Sequence, residues 1–176
     1  MPKKDGFWGI LASILILVSC SRAVEPVSTV PPPHHLLRSA QTPQEAAQTF
    51  LEALQEGDEY AIREMALTRE EFEKYVWPDI PASRPGTNLT VDFVWRQMAM
   101  RSYSQMESLI RRNKGKHYTL VRLEARKGVW EYPSFRLHKD TWLVVRDESG
   151  QQRKVKFFTS VMEVQGEFKI YSYNVS

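Results

Sequence analysis

One cysteine in 176 residues, Cys20, leaves no intrachain disulfide and no cysteine-built metal site to be made. Long apolar runs are also missing. The stretch Phe7 to Val18 is 12 residues, whereas crossing ~30 Å of hydrocarbon takes about 20. Charge of one sign is not in excess, with 24 Lys and Arg against 21 Asp and Glu, for a net +3. That balance argues against a nucleic-acid partner. No phosphate loop, zinc-ligand spacing, nucleophile motif or internal repeat occurs beyond Cys20, so no cofactor or metal is expected.

What is present suffices for one packed core: 42% hydrophobic and 11% aromatic residues. The near-neutral total conceals a polarity. Residues 41 to 110 hold 6 basic and 12 acidic side chains, residues 111 to 176 hold 14 and 7. Either the halves compensate one another within a domain, or a basic sheet face meets an anionic partner.

The front of the chain has the layout of a secretory signal: Lys3 and Lys4, then the apolar dozen, then small residues around Cys20. The tetrapeptide Leu17-Val18-Ser19-Cys20 resembles the lipobox of bacterial lipoproteins. The resemblance implies removal of residues 1–19, acylation of Cys20, and a membrane anchor of two or three acyl chains. Ser21 after the cysteine implies, by the same resemblance, the periplasmic face of the outer membrane in a Gram-negative cell. Residues 20–41, with Pro26 and Pro31-Pro32-Pro33, read as the lipidated residue and an extended tether. His34-His35 within it have no third ligand near in sequence and read as linker.

The domain is expected over 42–176. Thr42-Pro43-Gln44-Glu45 is a helix start, Ala46, Ala47, Phe50, Leu51 and Leu54 follow helical spacing, and Gly57 ends it. Asp58 caps a second helix, Thr68 with Glu71 a third, reaching Trp77-Pro78. After a loop over 78–88, a long helix runs to about Arg112. The remainder predicts an antiparallel meander of four or five strands. Thr119, Val121, Leu123 and Ala125 are expected to face the core, with a bulge or turn near His138 to Asp140 and hairpin turns at Glu148–Gln151 and Gln165-Gly166.

The opening TPQEAAQTFLEALQEGDEYAIREMA and the closing VQGEFKIYSYNV resemble the nuclear-transport-factor-2-like superfamily over residues 42 to 176. The resemblance implies an α+β cone, with N-terminal helices packed on a curved antiparallel sheet, a pocket at the open end, and pairing of two copies through the outer sheet face. The superfamily holds enzymes and binding modules alike, so fold does not choose between them.

Candidate pocket-lining side chains are Trp95, Tyr103, Trp142, Phe158, Tyr171 and Tyr173, which suit a small apolar ligand unless they are core. His138 and Asp140 would share a face of a regular strand, but the expected bulge separates them. His117 sits at a strand boundary, and Asp92 suits the first turn of a helix without any catalytic task. The basic series Arg111, Arg112, Lys114, Lys116, Arg122, Arg126 and Lys127 is either a solvated face or a site for an anionic polymer. The sequence thus predicts a membrane-anchored, non-enzymatic envelope module that binds a protein, polymer or small ligand. The alternative is an isomerase, cyclase or hydrolase working in the cone.

Overall fold

Thr42 opens the first helix as its sequence demands: its hydroxyl accepts the Glu45 N–H at 3.0 Å, and the Glu45 carboxylate accepts the N–H of Gln41 at 2.8 Å. The computed structural model describes residues 36–174; Cys20, His34 and His35 lie outside them. Helix α1 is Pro43–Glu56, buries Ala46, Ala47, Phe50, Leu51, Ala53 and Leu54, and ends on Gly57. Gly57 is left-handed at φ 71, the conformation that favours glycine at a helix end.

Asp58 caps α2, Glu59–Glu64. Thr68 and Glu71 form both halves of a capping box on the single turn α3, Arg69–Glu71. A π-helical stretch, Phe72–Val76, follows, and Pro78, with no N–H to give, falls in a 3-10 turn, Trp77–Asp79. Asn88, at φ 54, shapes the turn before α4, Val91–Asn113, whose N-cap is Thr90.

Among the described residues the sheet region contains seven strands: β1 Thr119–Ala125, β2 Val129–Glu131, β3 Arg136–Lys139, β4 Thr141–Arg146, β5 Gln152–Val155, β6 Phe158–Val164 and β7 Glu167–Tyr173. They form two antiparallel sheets, ordered β1-β4-β5 and β2-β3-β6-β7. The expected four or five strands become seven because long strands are kinked. Asp140, at φ 56, divides β3 from β4, and Lys156-Phe157 divide β5 from β6. Pairing continues across the first kink, where Arg126 N–H donates to Asp140 O at 3.1 Å and Lys127 N–H to Lys139 O at 3.2 Å. The architecture is therefore α+β, with helices followed by two antiparallel sheets.

A register shift between Leu120 and Arg122 corrects the expected phase of β1. Leu120 and Leu123 pack on the core, whereas Val121 is 40% exposed. One extra residue in the strand moves every side chain before it to the other face.

Two apolar clusters hold the fold. The larger joins α1, α4 and both sheets through Phe50, Leu54, Met106, Leu143, Val161 and Ile170. The smaller packs the π-helical stretch on the four-stranded sheet through Phe72, Val76, Leu137, Met162 and Val164, and it also contains Leu36. Residues 36–41, assigned to the tether from sequence, are part of this packed body. Leu36 is 4% exposed, its N–H donates to Glu167 Oε2 at 2.6 Å, and Ala40 exchanges two 2.9 Å hydrogen bonds with Phe168 on the edge of β7. Proline content marks the approach to this segment, but the burial of Leu36 carries no local signal.

Candidate functional site

Charge alternation along β1, β4 and β5 creates a basic face. Glu124 stands opposite Trp142, Arg122 opposite Val144, and Val144 opposite Lys154, so these side chains leave the sheet on one side while Leu123, Leu143 and Val155 turn to the core. Glu124 ties two cations together, with Arg122 Nε at 2.9 Å and Lys154 Nζ at 2.9 Å. Hydrogen bonds from Lys154 and then Arg122 hold its carboxyl below the usual carboxylate range.

Trp142 is the centre of the face. The Arg126 guanidinium lies 5.3 Å and the Lys156 ammonium 5.7 Å from its ring centroid. Its indole N–H donates to Asp140 Oδ1 at 3.3 Å, and the same oxygen accepts from Lys156 at 2.5 Å. The Lys156 hydrogen bond is the main reason that the Asp140 carboxyl is held below its ordinary range, partial burial opposing it. The kink residue therefore also fixes the cation that flanks the ring.

Beside this face, a recess of about 270 Å³ opens between the end of α4 and the β5 edge. Arg112, Lys116, Tyr118, Trp142, Lys154 and Lys156 line it, and the buried Phe157 contributes to its wall. Tyr118 donates to Asn113 Oδ1 at 3.1 Å, which orders the rim.

The six aromatic side chains expected to line one pocket occupy three separate places. Phe158 and Tyr173 are inside the larger cluster, where the Tyr173 hydroxyl donates to the Ile62 carbonyl, and Tyr103 packs against that cluster under Arg63. Trp95 and Tyr171 pack on the smaller cluster, Trp95 with its ring 5.5 Å from that of Phe72. Trp142 alone reaches the basic face. The first five serve the core, because each has an apolar neighbour supplied by a different element.

His138 and Asp140 are separated by the kink and make no dyad. His138 Nε2 instead lies 2.9 Å from Glu163 Oε2, which also accepts from Arg136. The imidazole stacks edge-on against Phe168. The 650 Å³ recess nearby is lined by Lys74, Arg136 and Glu163, but not by His138. The pair follows from register across β3 and β6, which spacing along one strand does not reveal. His117 donates its N–H to Glu148 at 3.0 Å, and Asp92 is engaged by Arg69. Among the described residues no group of three or more His, Cys, Asp or Glu gathers as a metal site, and no helix is long and apolar enough to cross a membrane.

Sequence reasoning missed the buried pair Glu71–Lys169, in which Lys169 Nζ is 2.9 Å from both carboxylate oxygens. Spacing marks Glu71 only as a capping residue, and nothing local links it to a lysine 98 positions later. Compared with known family models, with curated proteins and with solved structures, the chain matches none.

Proposed function

We propose that the chain is an exported lipoprotein, anchored through acylated Cys20, whose domain is a non-enzymatic module that engages an anionic component of the cell envelope through the β1-β4-β5 face. The observation that carries the binding part is Trp142, a partly buried indole that holds Arg126 and Lys156 at one place on a face also bearing Arg122 and Lys154. Cations fixed by an aromatic ring and by carboxylates have lost part of their side-chain freedom, so binding an anion there orders less than it would on free lysines. The anchor rests on Leu17-Val18-Ser19-Cys20 after an apolar run too short to span a bilayer. Anchoring confines the module to a thin shell and raises its effective concentration for envelope partners. The same proposal includes a nuclear-transport-factor-2-like cone, supported by the order of helices before kinked antiparallel strands, and an outer-membrane location if the cell is Gram-negative.

The anchor and the face are tested separately. Cys20→Ala is expected to abolish acyl labelling and detergent-phase partitioning; an unchanged protein would end the anchor reading. Trp142→Ala with Lys156→Gln is expected to keep the anchor and lose crosslinking to purified anionic envelope polymer. Undiminished crosslinking by that variant would end the reading of the face.

A further inference from the structure

Two of the four cations around the recess at the end of α4 are already neutralised. Lys154 pairs with Glu124 at 2.9 Å and Lys156 with Asp140 at 2.5 Å. Arg112 and Lys116 are exposed and have no ion pair among the described residues. The recess therefore carries about two uncompensated positive charges, with two further N–H donor groups at hand. Across Tyr118, Asp147 is paired with Arg153 at 2.6 Å, and Glu148, which forms no ion pair among the described residues, accepts the backbone N–H of His117. The negative end of α4 is partly capped. Ile110 O accepts from the Lys114 N–H at 2.8 Å and Asn113 O from the Lys116 N–H at 3.0 Å, so two of the last four helix carbonyls are taken up.

We propose that this recess is a binding site for a phosphomonoester, with Arg112 and Lys116 as its principal ligands and Lys154 and Lys156 as the flanking donors. This deepens the reading of the basic face as an anion-binding surface and rests on it. A phosphomonoester carries about −1.5 to −2 at pH 7 and offers three acceptor oxygens, matching two free cations and four donor groups. A carboxylate or a phosphodiester brings a single charge and leaves one cation uncompensated. The volume of about 270 Å³ exceeds what a phosphate alone fills, and Tyr118, Trp142 and Phe157 offer ring surface to a carbon skeleton attached to it.

The test uses the full chain in detergent, with inorganic phosphate as probe and binding read by phosphorus NMR line broadening and by calorimetry. Arg112→Gln with Lys116→Gln, both at exposed positions, is expected to weaken binding at least ~30-fold, since each charged hydrogen bond is worth about tenfold. Arg101→Gln, elsewhere on α4, is expected to bind as the parent does. Lowering the pH from about 7.5 to about 5 is expected to weaken binding several-fold, as the probe passes its second pKa of about 6. Retained affinity in the double variant, an equal loss in Arg101→Gln, or a dimethyl phosphate that competes as well as the monoester would each overturn the assignment. On the Cys20→Ala chain, displacement by a soluble hexose phosphate identifies a sugar-borne group, and displacement by phosphatidylcholine vesicles carrying phosphatidic acid a lipid-borne one. The double variant leaves Arg126, Trp142 and Lys156 intact. Polymer crosslinking that survives the loss of phosphate binding separates the failure of this site from the failure of the wider face.

Discussion

Lys169 and Glu71 meet inside the smaller apolar cluster, the ammonium 2.9 Å from each carboxylate oxygen and 1% of the lysine exposed. Glu71 also accepts the N–H groups of Leu37 and Thr68, at 2.9 and 2.8 Å. One carboxylate thus joins the entering chain, the start of α3 and strand β7. Burial draws the Lys169 pKa below its ordinary value despite Glu71 and, more weakly, Glu64, so the charge is held at a cost that chiefly its partner offsets. Removing either partner strands the other: Lys169→Met or Glu71→Gln is expected to destabilise the domain by about 3–5 kcal/mol in denaturant titration. A loss below about 1 kcal/mol would show that water reaches the pair.

Asp140 combines a left-handed backbone, φ 56, with bonds to Lys156 and Trp142. Asp140→Ala keeps the strain of about 1–2 kcal/mol and loses both partners, whereas Asp140→Asn tolerates the conformation and keeps an acceptor. Thermal melting should rank parent above Asn above Ala. Because the folded carboxyl titrates below the unfolded one, its contribution is complete above about pH 4 and lost as pH falls through the folded pKa. The acid limb of the stability curve should therefore flatten in Asp140→Asn.

At the alkaline end the sign reverses. Burial raises the Tyr171 phenol to about 12 and moves Tyr173 in the same direction. Both groups contribute stability that is intact below the unfolded value of about 10 and is lost as pH rises through the folded one. Absorbance at the phenolate band should show these two tyrosines ionising at higher pH than the exposed ones. Tyr171→Phe should reduce the slope of stability against pH between about 10 and 12; an unaltered slope would contradict the buried placement.

A chain shortened to begin at Thr42 lacks Leu36, the bonds from Leu36 and Leu37 to carboxylates, and the Ala40–Phe168 bridge. Burial of Leu36 alone is worth about 1.5–3 kcal/mol. The shortened chain is expected to melt well below one beginning at Pro33. Equal melting would show that residues 36–41 ride on the domain without supporting it.

Which features could be read from the sequence follows from how local they are. Thr42, Asp58 and Thr68 cap where their spacing said, Gly57 ends α1, and the break at Asp140 shows in a change of alternation. Each depends on neighbours within about five residues. The bulge that exposes Val121, the pairing of His138 with Glu163, and the Glu71–Lys169 contact depend on strand register or on segments far apart in the chain. The site divides the same way. Arg112, Lys116, Arg122 and Arg126 are visible as members of a basic series, but their arrangement around Trp142 needs β1, β4 and β5 side by side, and Lys154 and Lys156, outside that series, join it only because β5 pairs with β4.

The seating of Leu36 and Ala40 on β7, with Leu37 held by Glu71, also has a mechanical meaning. A pull on the chain from its amino-terminal side is borne first by two carboxylate grips and by the paired Ala40–Phe168 hydrogen bonds. Only when these yield does the load reach α1. The margin of the domain can thus take up tension while the helix core and the cationic face keep their shape.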